Sequence, residues 1–368
     1  MVLTSSESTP PIVLTWNPLP TTKLLTSAFL SSSLATKDHN SSSSSLSLQI
    51  HELNATPESE LASILSTDGM LICAGSLAQV SHLLAPNQKK FFDATEDSYL
   101  FRSLISPSFP EYICFKSTEP WSVPLDWTNN KRYVVKPNIG YSSIDTFIVN
   151  NASEQAKLKT SLSPPNREFI IEEFIIGEFF GSDIVVDGDS VLVTSVYRRF
   201  DYGIKETVQY HASKLYREHA QKFKALARDV VLRHLPLPPN TRTMFNVEAK
   251  LGSDSVLRIV EINPFRACGV APLATSLVFG RNVFELAFAQ KLDSEVEPPE
   301  SSDREIVLAL ARKEGETAAD LLPPVIHELT SIDNIERSYA ELQVILEEKD
   351  KNVFEIHDGR IFELMKFT

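Results

Sequence analysis

The stretch from Phe245 to Phe265, FNVEAKLGSDSVLRIVEINPF, decides the fold and much of the chemistry. Its two apolar runs flank Gly252-Ser253-Asp254, a typical turn sequence, so the stretch predicts a β-hairpin. Glu261 and Asn263 are two residues apart, and such side chains point to the same face of a strand. Glu248 on the first strand can lie beside them. Two carboxylates and an amide oxygen suit Mg²⁺, so the hairpin predicts a metal site; the alternative is two solvated carboxylates at a strand end.

A candidate phosphate-binding lysine lies upstream. Lys136 closes the apolar run RYVVK and is followed by PNIGYSS, a small polar loop that includes Ser142 and Ser143. The backbone amides of such a loop can cover phosphate groups, and a triphosphate needs positive charge on the oxygens that gain charge during transfer. We therefore assign Lys136, Ser142 and Ser143 to nucleotide binding. A lone lysine at a strand end is also a common edge charge.

A third segment, FIIEEFIIGEFFGSDIVV, starts at Phe169 and interrupts an apolar strand with carboxylates. An adenine can lie in this break, with its N6 donating to the region of Glu172 and Glu173. Its N1 would accept from the backbone near Ile175, and the ribose hydroxyls would meet Glu178. The same three carboxylates can equally form an exposed turn between strands.

Taken in this order, the three segments resemble the ATP-grasp superfamily, through V-x-K-P, E-E-F-I-x-G-E and E-I-N-P. The resemblance covers roughly residues 100 to 290. It implies an α/β chain with the ATP-grasp fold: an N-terminal parallel α/β domain, a small central α+β domain and a C-terminal ATP-grasp domain. It also implies ATP and one or two Mg²⁺ ions as cofactors, with Mn²⁺ as an alternative.

Three later segments extend the resemblance to ligases of the superfamily. RFDYGIK, which ends at Lys205, looks like the D-Y-x-x-K segment of D-alanine D-alanine ligases, so Lys205 is expected to contact phosphate during catalysis. RACGVAP and FGRNVFELAFAQ look like the substrate loop and helix of amino-acid ligases. On that likeness, Arg266 would orient the acyl acceptor or steady the tetrahedral intermediate.

The chain also departs from the family pattern. The place of a second phosphate lysine holds Arg102, which can bind the same oxygens bidentately, so the nucleotide role is kept for Arg102. Where relatives read R-x-G-G, Cys268 stands in the third position, and it is expected to line the pocket as a small buried side chain. His211 is considered as a base, although a structural histidine is the favoured interpretation.

Three functions remain in competition. The leading one is an ATP-dependent carboxylate–amine ligase of the amino-acid or peptide type, which activates a carboxylate as an acyl phosphate, joins it to an amine and releases ADP and phosphate. The second is a small-molecule kinase similar to inositol phosphate kinases, because VYRRF, with Arg198 and Arg199, resembles a stretch in them. The third is an assembly factor that keeps the nucleotide site to grip another chain.

The amino-acid composition disfavours some classes of binding partner. With 35 basic and 48 acidic side chains, the net charge of −13 disfavours nucleic acid and anionic membranes. Cys73, Cys114 and Cys268 are widely spaced, which indicates neither a disulfide framework nor a Cys-rich zinc site. The first twenty residues lack the pattern of a secretory signal, so the cytoplasm is the expected location. The expected substrates are a small-molecule carboxylate and an amine, and homodimers are common among proteins of this kind.

Sequence patterns divide the chain into four parts. An N-terminal α/β domain is expected over 1–110, with a serine-rich insertion at 31–47, and a central subdomain over 111–195. A C-terminal subdomain with the metal site follows over 196–295, and a small extension over 304–368. Helical spacing predicts helices over Thr22–Leu34, Ala220–His234 and Asn334–Glu348, and Asp358-Gly359 predicts a hairpin turn.

Overall fold

The computed structural model describes residues 12–15, 49–52, 56–66, 70–73, 77–109, 114–140, 144–162, 167–202, 205–239, 241–266, 305–309, 354–357 and 360–363, together with residues 274, 275, 278 and 287. The predicted helices Thr22–Leu34 and Asn334–Glu348, the serine-rich insertion 31–47 and most of the RACGVAP loop lie outside these residues.

The N-terminal part is built on a three-stranded parallel sheet, in the order β2-β1-β3. All three residues of β3 are buried, as expected for a strand covered on both faces. The parallel pairing agrees with the parallel α/β domain that the resemblance implies for this region. The elements are β1 (Ile12–Thr15), β2 (Gln49–Glu52), α1 (Glu58–Leu65), β3 (Leu71–Cys73), a 3₁₀ turn (Ala78–Leu83), α2 (Pro86–Glu96) and α3 (Ser98–Ile105).

A four-stranded antiparallel sheet follows, in the order β4-β7-β5-β6. One helix packs beside it and begins at Asn151, whose Oδ1 accepts a hydrogen bond from the Glu154 amide. The elements are β4 (Cys114–Ser117), two 3₁₀ turns (Pro120–Ser122 and Thr128–Asn130), β5 (Tyr133–Pro137), β6 (Phe147–Val149), α4 (Ala152–Ser161) and β7 (Phe169–Glu173).

The largest sheet is antiparallel and runs β13-β12-β8-β10-β11-β14, with β9 also paired to β8. The hairpin predicted from Phe245 to Phe265 forms its β12 and β13. A separate hairpin pairs β15 with β16; the predicted Asp358-Gly359 turn lies between these strands and outside the described residues. The elements are β8 (Glu178–Asp187), β9 (Ser190–Val193), β10 (Tyr197–Tyr202), β11 (Lys205–Ala212), β12 (Thr243–Leu251), β13 (Leu257–Pro264), β14 (Glu305–Ala309), β15 (Phe354–His357) and β16 (Arg360–Glu363).

One long helical segment covers the large sheet. It begins at Ser213, earlier than the apolar spacing predicts, as α5 (Ser213–Leu226), and continues through a π-helical turn (Ala227–Val231) into α6 (Leu232–His234). Phe223 and Val231 are fully buried against the core. None of the helices within the described ranges is both long enough and apolar enough to cross a membrane.

Sheet membership differs from the sequence division at two places. The small sheet ends with β7 at Glu173, and β8 and β9, which we placed in the central subdomain, pair within the large sheet. Strand β14, which belongs to the expected extension, pairs antiparallel with β11 at the edge of that sheet. The spacing of apolar residues within a strand does not reveal which strand it pairs with, because pairing depends on contacts between residues that are distant in sequence.

The large sheet carries a buried polar cluster next to Gly181. Tyr197 lies opposite Gly181, and the Tyr197 ring stacks on His211 with centroids 5.0 Å apart. The Asn246 amide nitrogen donates to the Tyr197 hydroxyl at 3.2 Å and to the Asp183 carboxylate at 2.8 Å. A Cβ atom on residue 181 would lie 2.1 Å from Tyr197 Cζ, so only glycine leaves room for the ring.

Replacing Gly181 with Ala should therefore lower the free energy of unfolding by about 1–3 kcal/mol, since the Tyr197 ring must move out of a packed site. Denaturant unfolding monitored by circular dichroism measures the change. Gly140→Ala is the control, because its added Cβ would approach Pro137 Cβ only to 3.2 Å. Equal stability of the Gly181→Ala protein and the wild type would contradict this packing.

Candidate active site

A cleft of about 1010 Å³ opens between the small sheet and the large sheet. Lys136 and Glu172 line it from the small sheet, and Glu248 and Glu261 line it from the large sheet. The segment 174–177, which joins β7 to β8, closes one end. The cleft therefore brings together the three segments that sequence analysis singled out.

Glu172 lies at the base of this cleft between two cations. Arg102 Nε is 2.5 Å from Glu172 Oε2, and Lys136 Nζ is 3.0 Å from Glu172 Oε1. Burial by itself raises the pKa of Glu172, but the Arg102 and Lys136 charges outweigh burial and hold the pKa at about 2. Glu172 is therefore a permanent carboxylate that fixes the direction of the Lys136 ammonium.

Arg102 lies beneath the cleft rather than along its wall. Its side chain is only 3% exposed. Besides Glu172, the guanidinium donates to the carbonyl oxygens of Ile259 and Val260, each at 2.8 Å. The residue of α3 that lines the cleft is Ser98, four positions earlier. A direct phosphate contact by Arg102 stays a prediction, and it would require these buried hydrogen bonds to be exchanged.

The hinge segment 174–177 is held against the end of β12. Lys250 Nζ donates to the Ile175 carbonyl at 3.1 Å and lies 3.9 Å from the centroid of the Phe174 ring. Arg132 lies 4.2 Å from the same centroid, so Phe174 contacts two cations. A Cβ atom on residue 177 would lie 2.4 Å from the Leu251 carbonyl oxygen, so Gly177 is needed for this close approach.

The two remaining hinge carboxylates each contact a cation. Glu173 Oε2 is 3.0 Å from Lys131 Nζ, and Glu178 Oε1 is 2.9 Å from Arg198 Nη2. Both carboxylates line the cleft together with Ile175. The structure thus brings the four residues predicted to bind adenosine to one end of the cleft, which is compatible with the predicted adenine position and does not test it.

The predicted metal residues lie on the paired strands β12 and β13. Glu248 is directly opposite Glu261, and Asn263 is opposite Asn246. Glu261 is exposed to the cleft, whereas Asn263 is buried and its Oδ1 accepts from Arg266 Nη1 at 3.1 Å. The described residues contain no group of three or more His, Cys, Asp or Glu arranged around a cation site. A metal here would depend on the two glutamates and the Asn263 amide oxygen, a set of oxygen donors that fits Mg²⁺.

Glu96, at the end of α2, is a cleft residue that sequence analysis missed. Burial and, second, the Glu261 charge raise the pKa of Glu96 to about 7, while Arg266 opposes the shift. The apolar spacing of α2 marks its buried face only, so no sequence signal pointed to Glu96. Lys250 was also missed, although it is two residues after Glu248 and the strand period places both on one face.

Other predicted residues are placed only in part. Lys205 begins β11, and Ser142, Ser143 and Cys268 fall outside the described residues. Arg266 lies beside Cys73 at the end of β3, where the Cys73 amide donates to the Phe265 carbonyl at 2.5 Å. Hence β13, the strand that carries the predicted metal residues Glu261 and Asn263, ends against the N-terminal sheet.

Neither His211 nor Cys114 is suited to chemistry in the cleft. His211 is 1% exposed and stacked on Tyr197, and burial lowers its pKa to about 3, so it is a neutral structural residue. The Cys114 thiol lies opposite Glu172, and burial, followed by the Glu172 charge, raises its pKa to about 12. Cys114 therefore stays a thiol rather than a nucleophilic thiolate.

Replacing Glu172 with Gln should lower the free energy of unfolding at pH 7 by about 3–5 kcal/mol, because two buried cations lose their carboxylate. The folded-state pKa of about 2 lies below the ordinary value of 4.5, so the contribution is complete above pH 4.5 and is lost as the pH falls toward 2. The difference between wild type and variant should therefore be smaller at pH 3.

Denaturant unfolding of both proteins at pH 7 and pH 3 measures this effect. Glu173→Gln is the matched control, because the Glu173 side chain is 39% exposed and such an exposed pair with Lys131 contributes little to stability. An equal loss of stability in both variants would contradict a particular stabilising role for the contacts of Glu172 with Arg102 and Lys136.

Comparisons with known proteins bear on this fold. Residues 106–269 match the family model of the ATP-grasp domain. A search of curated protein sequences finds no match. The L-amino acid ligase from Bacillus licheniformis is similar in structure, with a TM-score of 0.53 and 13% identity over 82% of this chain and 80% of that chain.

Two further solved structures show the same likeness. N5-carboxyaminoimidazole synthase from Aspergillus clavatus, in complex with ADP and 5-aminoimidazole ribonucleotide, gives a TM-score of 0.51 and 13% identity, over 81% of each chain. Phosphoribosylamine–glycine ligase from Thermotoga maritima gives 0.53 and 14%, over 81% of this chain and 79% of that chain. At such low identity the structures show the fold. The fold that the sequence motifs predicted is confirmed: the chain has the ATP-grasp fold, and residues 106–269 match the model of the ATP-grasp domain.

Proposed function

We propose that the protein is an ATP-dependent carboxylate–amine ligase, which converts a carboxylate into an acyl phosphate and joins it to an amine, with release of ADP and phosphate. The observation that carries the proposal is the cleft itself. It sets the Lys136 ammonium on one wall opposite the Glu248 and Glu261 carboxylates on the other. Phosphoryl transfer from a metal-bound nucleotide needs both kinds of group in one place.

On this proposal, Lys136 neutralises phosphate oxygens, and Glu172 keeps its ammonium in place. Glu248, Glu261 and Asn263 would hold Mg²⁺, whose charge would help to neutralise the phosphates of the nucleotide. When bound, ATP supplies the phosphoryl group and Mg²⁺ supplies additional positive charge. A lysine fixed by a buried carboxylate loses little conformational freedom on binding, which favours tight phosphate contact.

The hinge segment 174–177 would hold the adenine, with Glu178 reaching the ribose hydroxyls. The contact between Lys250 and the Ile175 carbonyl supports this role, because it fixes the hinge backbone relative to β12. The same strand carries Glu248, so the base position and the metal position are set by one rigid element. Ser142, Ser143 and Lys205 would complete the phosphate contacts.

The acyl acceptor is expected near Arg266. The Arg266 side chain contacts Asn263, and its backbone bridges to Cys73 at the end of β3. In a parallel sheet the strand ends form the usual ligand-binding edge. Arg266 would orient the acceptor or steady the tetrahedral intermediate at the junction of the nucleotide cleft and the N-terminal domain.

The solved structures with this fold support the reaction class. Two of them are described as an L-amino acid ligase and a phosphoribosylamine–glycine ligase, and a third is described in complex with ADP. The kinase alternative needs a dense basic pocket for an anionic substrate. Arg198 and Arg199, the residues that suggested it, contact Glu178 and Glu248 respectively, which lowers the positive charge they offer.

Phosphorus NMR with Mg-ATP distinguishes the alternatives. One tube holds amino acids and other carboxylates with amines, and a second holds polyols and inositol phosphates. ADP with free phosphate in the first tube is the expected result. ADP with a new phosphate-ester signal in the second tube would indicate a kinase, and nucleotide binding without turnover in any pool would indicate an assembly factor.

Replacing Glu261 with Gln should reduce ADP formation by at least about 100-fold, since a metal ligand contributes several kcal/mol to transition-state stabilisation. The fold should survive, because Glu261 is exposed and makes no hydrogen bond or ion pair with another described residue. A coupled assay for ADP measures the change, and circular dichroism checks the fold.

Glu60→Gln on the exposed face of α1 is the control for this experiment. It removes one negative charge far from the cleft and should leave the rate unchanged. Full activity of the Glu261→Gln protein would remove Glu261 from the proposed metal site.

A further inference from the structure

Arg199 reaches across the floor of the cleft to the predicted metal strand. On β10 it lies opposite Phe179 of β8, whereas Glu248 on β12 lies opposite Gly181 of β8. The Arg199 side chain therefore crosses β8 diagonally, with its guanidinium 4.4 Å from the centroid of the Phe179 ring. Arg199 Nη1 is 2.5 Å from Glu248 Oε2.

This contact is partly buried, with side-chain exposures of 10% for Arg199 and 14% for Glu248. Glu248 also lies directly opposite Glu261, and like charges in that arrangement repel. Arg199 offsets the repulsion from the other side. Because removing one partner of a buried ion pair leaves an uncompensated charge, the pair resists separation.

An ionised carboxylate offers about four lone-pair sites on its two oxygens, so Glu248 can accept from Arg199 on Oε2 and keep acceptor capacity for a cation. Building on the proposed function, we propose that Arg199 is a positioning residue of the metal site, which holds one oxygen of Glu248 so that the other faces the divalent cation. Arg266 donates to the single amide oxygen of Asn263 at 3.1 Å, which leaves the second lone pair of that oxygen for a cation. Two of the three predicted metal ligands are thus each oriented by an arginine.

For Arg199 variants, the proposal predicts a change in cation affinity that is opposite in sign to the change expected from charge repulsion alone. Removing a positive charge close to a cation site should by itself tighten cation binding. Removing the group that orients a ligand should weaken binding, typically by about 10–100-fold. The sign of the change therefore distinguishes orientation of Glu248 from long-range repulsion of the metal by Arg199.

The test is a titration of the full chain with Mn²⁺ without nucleotide, in which free Mn²⁺ is measured by electron paramagnetic resonance. Arg199→Met keeps packing on Phe179 but removes the donor, and it should weaken Mn²⁺ binding about 10–100-fold. Arg199→Lys keeps the positive charge on a shorter side chain, and its affinity for Mn²⁺ should lie between those of Arg199→Met and the wild type.

Arg198→Met is the matched control, because it removes the same charge one residue away but pairs with Glu178 rather than Glu248. It should change Mn²⁺ affinity by less than about threefold, since a screened charge that contacts no ligand has little effect. Mn²⁺ binding by Arg199→Met that is unchanged or tighter than in the wild type would overturn the proposal.

Two further measurements keep the outcome decisive. If Arg199→Met does not fold by circular dichroism, wild-type Mn²⁺ affinity in Arg199→Lys would overturn the proposal instead. Glu261→Gln separates this inference from the proposed function. Loss of Mn²⁺ binding in Glu261→Gln together with wild-type binding in Arg199→Met would overturn only the role of Arg199, whereas equal binding by Glu261→Gln and the wild type would contradict the metal site itself.

Discussion

The ion-pair triad of Arg102, Glu172 and Lys136 is the interaction on which the cleft depends. Arg102 comes from α3 of the N-terminal part, Glu172 from the small sheet, and the two carbonyls that Arg102 also contacts from β13 of the large sheet. One buried guanidinium therefore joins three parts of the chain. Because the partners of Arg102 surround the base of the cleft, these contacts set the distance between the wall that carries Lys136 and the wall that carries Glu248 and Glu261.

Several of the charged residues that line the cleft could be predicted from the sequence, but Glu96 and Lys250 were missed and the partners of the predicted residues were not foreseen. Period-two spacing placed Glu261 and Asn263 on one face, and the hairpin placed Glu248 beside them, as the register shows. Arg102 is different, because its family position suggested a phosphate contact while its buried partners lie 70 and more positions away in sequence. Local patterns carry no information about such long-range pairs.

The strand boundaries also could not be predicted fully from local sequence patterns. The sequence division ended the central subdomain at residue 195, whereas β8 begins at Glu178 and pairs with β12 along its length. The deciding feature is the hinge, where Gly177 allows the backbone to approach the Leu251 carbonyl. The helix over the large sheet likewise starts earlier than predicted, because Ser213 follows directly on β11, and Leu215 and Tyr216 of its first turn are buried.

The cleft carboxylates fall into two groups once their partners are considered. Glu172, Glu173, Glu178 and Glu248 each contact a lysine or an arginine. Glu96 and Glu261, by contrast, have no ion pair with any described residue, and the charge of Glu261 is one of the causes that raise the pKa of Glu96. The remaining negative charge is therefore concentrated between α2 and β13, and a divalent cation bound at Glu261 would relieve it. This distribution of charge, rather than the number of acidic residues, supports the proposal that a metal binds at the β13 end of the cleft.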